Sequence, residues 1–143
     1  MVAIRAGVDA RGIDAILHES TDVADLRARV SRAVSEGIVR FVAVGGDGTA
    51  HHVVDAALIA ADGMTRITFA IVPAGSGSDF VRTFGRTSET VDDGLGRLVD
   101  AQPYAIDIGR IEGSFGVRHF INAANAGVAA ASAQLAARLP SRL

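Results

Sequence analysis

Two short stretches carry residue types that could do chemistry. The first is "GGDGT", Gly45 to Thr49, and the second is "PAGSGSD", Pro73 to Asp79. Gly45, Gly46 and Gly48 can take φ > 0 and let the backbone approach a ligand closely. A helix starting at such a loop directs free N–H groups and a partial positive charge at whatever sits there, which suits a phosphate. Asp47 does not suit a phosphate by itself. It makes sense if a divalent cation lies between the two charges, or if it accepts a hydrogen bond from a hydroxyl. That combination points to phosphoryl transfer rather than passive anion binding. The second stretch adds hydroxyls on Ser76 and Ser78 and a carboxylate on Asp79, with Arg82 and Arg86 following. Blander readings exist for both. Asp-Gly between apolar runs is also a hairpin turn signal, and Asp79 is also a fitting N-cap for "FVRTF".

Other candidates carry less. His51 and His52 are adjacent, so on a helix their side chains point about 100° apart and do not form a metal pair by themselves. His51 and Asp55 stand at i and i+4, where they could share a metal but more commonly form a surface pair. Asp107, in "YAIDIGRI", faces away from Ile106 and Ile108 on a strand, the usual place for a solvated aspartate. His18 and His119 show no partner signal.

The elements that must position these residues read as alternating strands and helices. Gly12–Ser20 reads as a short strand. Thr21 or Asp22 then caps a helix, Val23 to Glu36, with Val23, Leu26, Val30 and Val34 on one face and Gly37 as its stop. Ile38–Val44 and Ile67–Val72 are β-branched and apolar, as strands buried on both faces should be. A helix between them starts near Thr49 and ends near Asp62-Gly63. Ser88 is placed to cap a third helix through Val91, Leu95, Leu98 and Val99, which Gly94 and Gly96 weaken. "YAIDIGRI" and "VRHFINAA" flank "EGSFG" as a hairpin, and a last helix is expected over Val128–Leu139. This order predicts an α/β fold: a largely parallel open sheet with flanking helices and a C-terminal hairpin. In such a sheet, ligands gather beyond the carboxyl ends of the strands, where both glycine loops lie.

Bulk properties narrow the function classes. The 143 residues suit one domain, and with 49% hydrophobic and 21% charged residues the chain can bury a core. The net charge of −2 argues against nucleic-acid binding through bulk charge. With no cysteine, thiolate chemistry and disulfides are excluded, and the composition fits a reducing compartment. All 14 basic residues are arginine, which removes a Walker-type lysine and a lysine base. No signal peptide is visible. Phe120–Ala137 is uncharged and nominally long enough to span a bilayer, but Asn122, Asn125, Ser132 and Gln134 favour a strand followed by an amphipathic helix.

"VAVGGDGTAHHVVDAAL", "IVPAGSGSDFVRTFG" and "YAIDIGRI…HFINAANAGVAA" together resemble the catalytic domain of the diacylglycerol kinase family, which includes sphingosine kinases and bacterial lipid kinases. The first block alone is shared with NAD kinases; the second is more typical of lipid kinases. The resemblance implies ATP-dependent phosphorylation of a lipid hydroxyl with Mg²⁺, cytoplasmic and at a membrane surface. It assigns nucleotide contacts to Thr21, Gly45, Gly46, Asp47, Gly48, Thr49, Gly75 and Ser76, and the acidic cleft to Asp47, Asp79 and Asp107. The family commonly has glutamate where His52 stands and asparagine where Ser78 stands. The resemblance further implies a single nucleotide-binding domain over residues 1–143, incomplete at both ends. A second, β-rich domain would carry the general base and much of the lipid site, so these residues alone are expected to be inactive. Two alternatives accompany this reading: an NAD kinase, or a nucleotide-binding module without catalysis.

Overall fold

The computed structural model describes residues 2–63, 65–74, 79–85 and 90–122. In chain order its elements are helix α1 (Val2–Ala10), helix α2 (Val23–Ser35), strand β1 (Arg40–Gly45) and helix α3 (Asp47–Ala61). Strand β2 (Thr68–Pro73), the short helix α4 (Asp79–Arg82), helix α5 (Val91–Val99) and strands β3 (Gly109–Gly113) and β4 (Gly116–Phe120) follow. The fold is mixed α/β: β1 and β2 form a two-stranded parallel sheet, and β3 and β4 an antiparallel hairpin.

Local chemistry sets the helix ends. Asp22 is extended and its carboxylate accepts the Asp25 N–H at 2.8 Å, so it, rather than Thr21, is the N-cap of α2. Gly37 follows with φ +87, the left-handed stop its position predicts. Helix α5 is capped by Thr90, not by Ser88, which lies outside the described residues. Thr90 and Asp93 exchange side-chain and backbone bonds in a capping box. Gly94 is not a mere weakness in α5. A Cβ there would stand 3.1 Å from Pro73 Cδ and from Val72 Cγ1, so the glycine lets the helix approach β2.

Successive residues of a strand face opposite sides, and here helices pack on both. Ala43 and its register partner Ile71 pack with Val30, Val53 and Ala57 of α2 and α3. Val44 and Val72, the next pair along, turn the other way, toward Val8 of α1 and Leu95 of α5. β2 is covered on both faces along its length, as its near-continuous apolar run predicts, whereas Val42 of β1 is 45% exposed, so β1 is fully covered on one face only.

Gly12–Ser20 is not the strand the sequence predicts. The Ile13 N–H turns back to Val8 O at 3.2 Å, and Ile13 and Leu17 lie against the Val8–Val72–Leu95 cluster. Ile16 is 79% exposed. An apolar alternation makes a strand only where a neighbour offers a ladder, and this segment has none, which leaves the parallel sheet with two strands among the described residues. A hairpin forms there, with Gly116 at φ +82, but its first strand begins only at Gly109, so Tyr104–Ile108 of the expected strand is not paired. The helix expected over Val128–Leu139 lies outside the described residues.

Candidate functional site

The parallel register ends with Gly45 opposite Pro73, and the Ala74 N–H continues the ladder to Gly45 O at 3.2 Å. Both glycine stretches therefore leave the same sheet edge side by side. The hairpin reading of Asp47-Gly48 is overturned: β1 runs straight into α3, with Gly46 as N-cap. The glycines also serve differently than expected. None of Gly45, Gly46 and Gly48 adopts positive φ. Gly45 is needed for space, because a Cβ on it would meet Thr49 Oγ1 at 2.5 Å and Thr49 Cβ at 2.8 Å. Gly46 offers no side-chain cap to the first amides of α3, and the Cβ position of Gly48 opens onto free space. The start of α3 is thus a set of amide donors at a clear surface.

Asp47 is the residue that joins the two loops. One carboxylate oxygen accepts the Asp79 N–H at 2.8 Å, and the other accepts the Phe80 N–H at 3.1 Å. The carboxylate thereby caps α4 while sitting in the first turn of α3, so the amino ends of two helices meet at one negative charge. A carboxylate that looked out of place beside a phosphate has much of its charge already met by backbone amides. Each oxygen keeps a second lone pair. The Asp79 side chain, largely exposed, accepts from Arg82 Nη1 at 2.9 Å.

The remaining predicted residues are not all brought to this corner. Thr21 is exposed and its N–H is taken by Asp25 Oδ2 at 3.1 Å. Asp107 is exposed, with Ile106 and Ile108 half-buried to either side, but it precedes β3 rather than lying on a strand as expected. Gly75 and Ser76 lie outside the described residues. Among the described residues, no three His, Asp or Glu side chains converge as a metal cage, so Asp47, Asp79 and Asp107 do not form one.

Asp55 departs most from the sequence reading. It is not half of a surface pair with His51: it is fully buried. Arg27 Nη2 of α2 donates to Asp55 Oδ2 at 2.6 Å, and the His119 N–H of β4 donates to Asp55 Oδ1 at 2.8 Å. His119 Nδ1 lies 3.4 Å from the same oxygen, a partner the sequence did not disclose. Burial pushes the Asp55 carboxyl upward, but the His119 amide and the Arg27 guanidinium together outweigh it, and the net shift is downward. One turn earlier, His52 Nδ1 is enclosed without a hydrogen-bond partner. Burial, with smaller contributions from His51 and Arg27, holds its imidazole below the ordinary value against the pull of Asp55. A signal for Asp55 did exist. An acidic residue flanked by Val53, Val54, Ala56 and Ala57 sits on a helix that is apolar nearly all round, and such a helix is buried.

Comparison with known proteins agrees with the loops. Residues 2–111 match the family model of the diacylglycerol kinase catalytic domain. The chain is 35% identical over 107 residues to a "Diacylglycerol kinase" of Mycobacterium tuberculosis, covering 75% of this chain and 33% of that protein. It is 34% identical over 106 residues to a "Probable lipid kinase YegS-like" of Pseudomonas savastanoi pv. phaseolicola, covering 74% of this chain and 32% of that protein. A protein of the same name from Shewanella frigidimarina is 30% identical over 124 residues, covering 87% of this chain and 38% of that protein. The chain spans about a third of the length of these curated relatives. With the strand ends that lead into both glycine stretches paired at one sheet edge and the match running through both stretches, the chain belongs to the diacylglycerol kinase catalytic domain family.

Proposed function

We propose that this chain is the nucleotide-binding part of an ATP-dependent kinase that transfers the γ-phosphate of ATP to the hydroxyl of a lipid, diacylglycerol or a related molecule. The observation that carries the reading is the brace at the sheet edge, where Asp47 holds the start of α4 against the amino end of α3. Phosphoryl transfer depends mainly on positioning and on charge stabilisation, and this corner supplies both. Gly45, Gly46, Gly48 and Thr49 bring amide donors to a surface without side-chain obstruction, suited to ATP phosphates, and Gly75 and Ser76 would add further contacts to the nucleotide. Asp47 and Asp79 fit Mg²⁺, which is usually bound through one or two carboxylates together with substrate phosphates and water rather than by a protein cage. Mg²⁺ would offset the phosphate charge; Asp47 would keep the two loops in register. Asp107 would complete the acidic cleft and Thr21 would reach the nucleotide from the start of α2.

The relatives carry lipid kinase names, which supports a lipid acceptor over NAD. Among the described residues no helix is long and apolar enough to cross a membrane. The general base and most of the lipid site would lie in a β-rich second domain. The test is transfer of labelled phosphate from ATP to diacylglycerol in mixed micelles, by the protein in its natural reading frame, with NAD as a competing acceptor. Label in the lipid supports the reading. Label in NAD, or bound ATP with no transfer to either, overturns it.

A further inference from the structure

Asp55 takes no part in the site described above, yet it is the one buried charged side chain among the described residues. Burying a carboxylate costs several kcal/mol unless its partners are well placed, so a mere packing role would be served better by an apolar residue. Its partners show what it holds. Arg27 comes from α2, and the second donor is a backbone amide of β4, so one carboxylate joins two helices and the hairpin. The His119 N–H that reaches Asp55 points away from β3, so the carboxylate closes the free edge of the inner hairpin strand. An isolated two-stranded hairpin is at best marginally stable, and β3 on its outer side is largely exposed. Asp107 stands two residues before β3, so whatever holds the hairpin also holds that carboxylate. Asp55 lies eight residues along α3 from Asp47, about 12 Å along the same rigid helix.

We infer that Asp55 is a positioning residue: it pins hairpin β3–β4 to α3 and so fixes Asp107 relative to the Asp47 corner. The catalytic part of this inference rests on the kinase reading; the pin itself does not. The test uses Asp55→Leu and Asp55→Asn. Leucine matches the apolar surroundings and spares the fold, while Arg27, 28% exposed in its side chain, can turn to water. Asparagine keeps a neutral acceptor for the His119 N–H. Hydrogen exchange of the full 143-residue chain should show the amides of Arg118, His119 and Phe120 exchanging about ten- to a hundredfold faster in Asp55→Leu, with β1 and β2 unchanged. Asp55→Asn should stay within about threefold of wild type. In the natural reading frame, Asp55→Leu should lower kcat without raising KM for ATP, and Asp55→Asn should restore most of it. Unchanged hairpin exchange in Asp55→Leu, or equal loss in both variants, overturns the pin. A freed hairpin with undiminished kcat overturns the positioning role. A freed hairpin in a protein without kinase activity upholds the pin and counts against the kinase reading instead.

Discussion

Replacing Asp47 by alanine removes both acceptors that hold the start of α4. Hydrogen bonds to a charged group contribute about 1.5–3 kcal/mol each when enclosed. Asp47 is half-buried and the Asp79 amide is exposed, so water takes over part of the loss. A net of about 1–3 kcal/mol for the pair is the reasonable range, and it corresponds to a local opening about five- to a hundredfold more frequent. Helix α4 has four residues, too few to persist without an anchor. What remains to hold it is Val81, buried in the core cluster with Val53 and Ile71, and Phe80, whose ring centroid lies 6.0 Å from that of Phe69 and 5.2 Å from that of Phe84. Amide exchange measured by NMR on the 143-residue chain reads this directly. Asp79, Phe80 and Val81 should exchange faster in Asp47→Ala, with the β1 and β2 amides as an internal reference. Asp47→Asn should fall between, because asparagine keeps one acceptor oxygen and sets an NH₂ group against the other amide. Unaltered exchange at residues 79–81 in Asp47→Ala, or an equal rise throughout β1 and β2, would refute the brace.

Two further outcomes follow from the same structure. Gly96→Ala should stabilise the chain by about 0.5–1 kcal/mol, since its Cβ would meet nothing within 4 Å, whereas Gly94→Ala should destabilise it despite the same gain in helix propensity, because its Cβ would press on Val72 and Pro73; paired urea melts decide. The folded His52 imidazole is held below its ordinary value, so the unfolded chain takes up its proton first, and stability falls as pH drops from about 6.5 toward the folded value. His52→Gln should flatten that slope, measured as unfolding free energy between about pH 7 and pH 5. A slope unchanged by the substitution would mean that His52 is solvated.

The sequence was most legible where a local pattern and tertiary packing agree. Ile38–Val44 and Ile67–Val72 carry the β-branched apolar runs of β1 and β2, of which β2 is covered on both faces, and Gly37 stops α2 as its position predicts. The shared edge of the two glycine loops was also foreseeable, because parallel strands joined by a helix end on the same side. Illegible were features that depend on a partner far along the chain. Gly12–Ser20 alternates like a strand but has no ladder to join. Ser88 was as good a cap by type as Thr90, and it is Thr90 that has Asp93 three residues on to complete a capping box. Asp55 reads as one acid on a helix until Arg27, 28 residues earlier, and His119, 64 residues later, close around it. Asp47 was singled out for its charge among glycines, but that its carboxylate grips the next loop required the register of β1 against β2.

The central claim is that the corner braced by Asp47 serves phosphate transfer from ATP to a lipid. The most direct measurement is Mg²⁺-dependent incorporation of labelled γ-phosphate into diacylglycerol by the protein in its natural reading frame, wild type against Asp47→Asn. Wild-type protein should label the lipid, and Asp47→Asn should lower the rate by about two to three orders of magnitude with the circular dichroism spectrum unchanged. Asp47→Asn transferring phosphate at a near-wild-type rate, or a wild-type protein that binds ATP and labels no lipid, would contradict the claim.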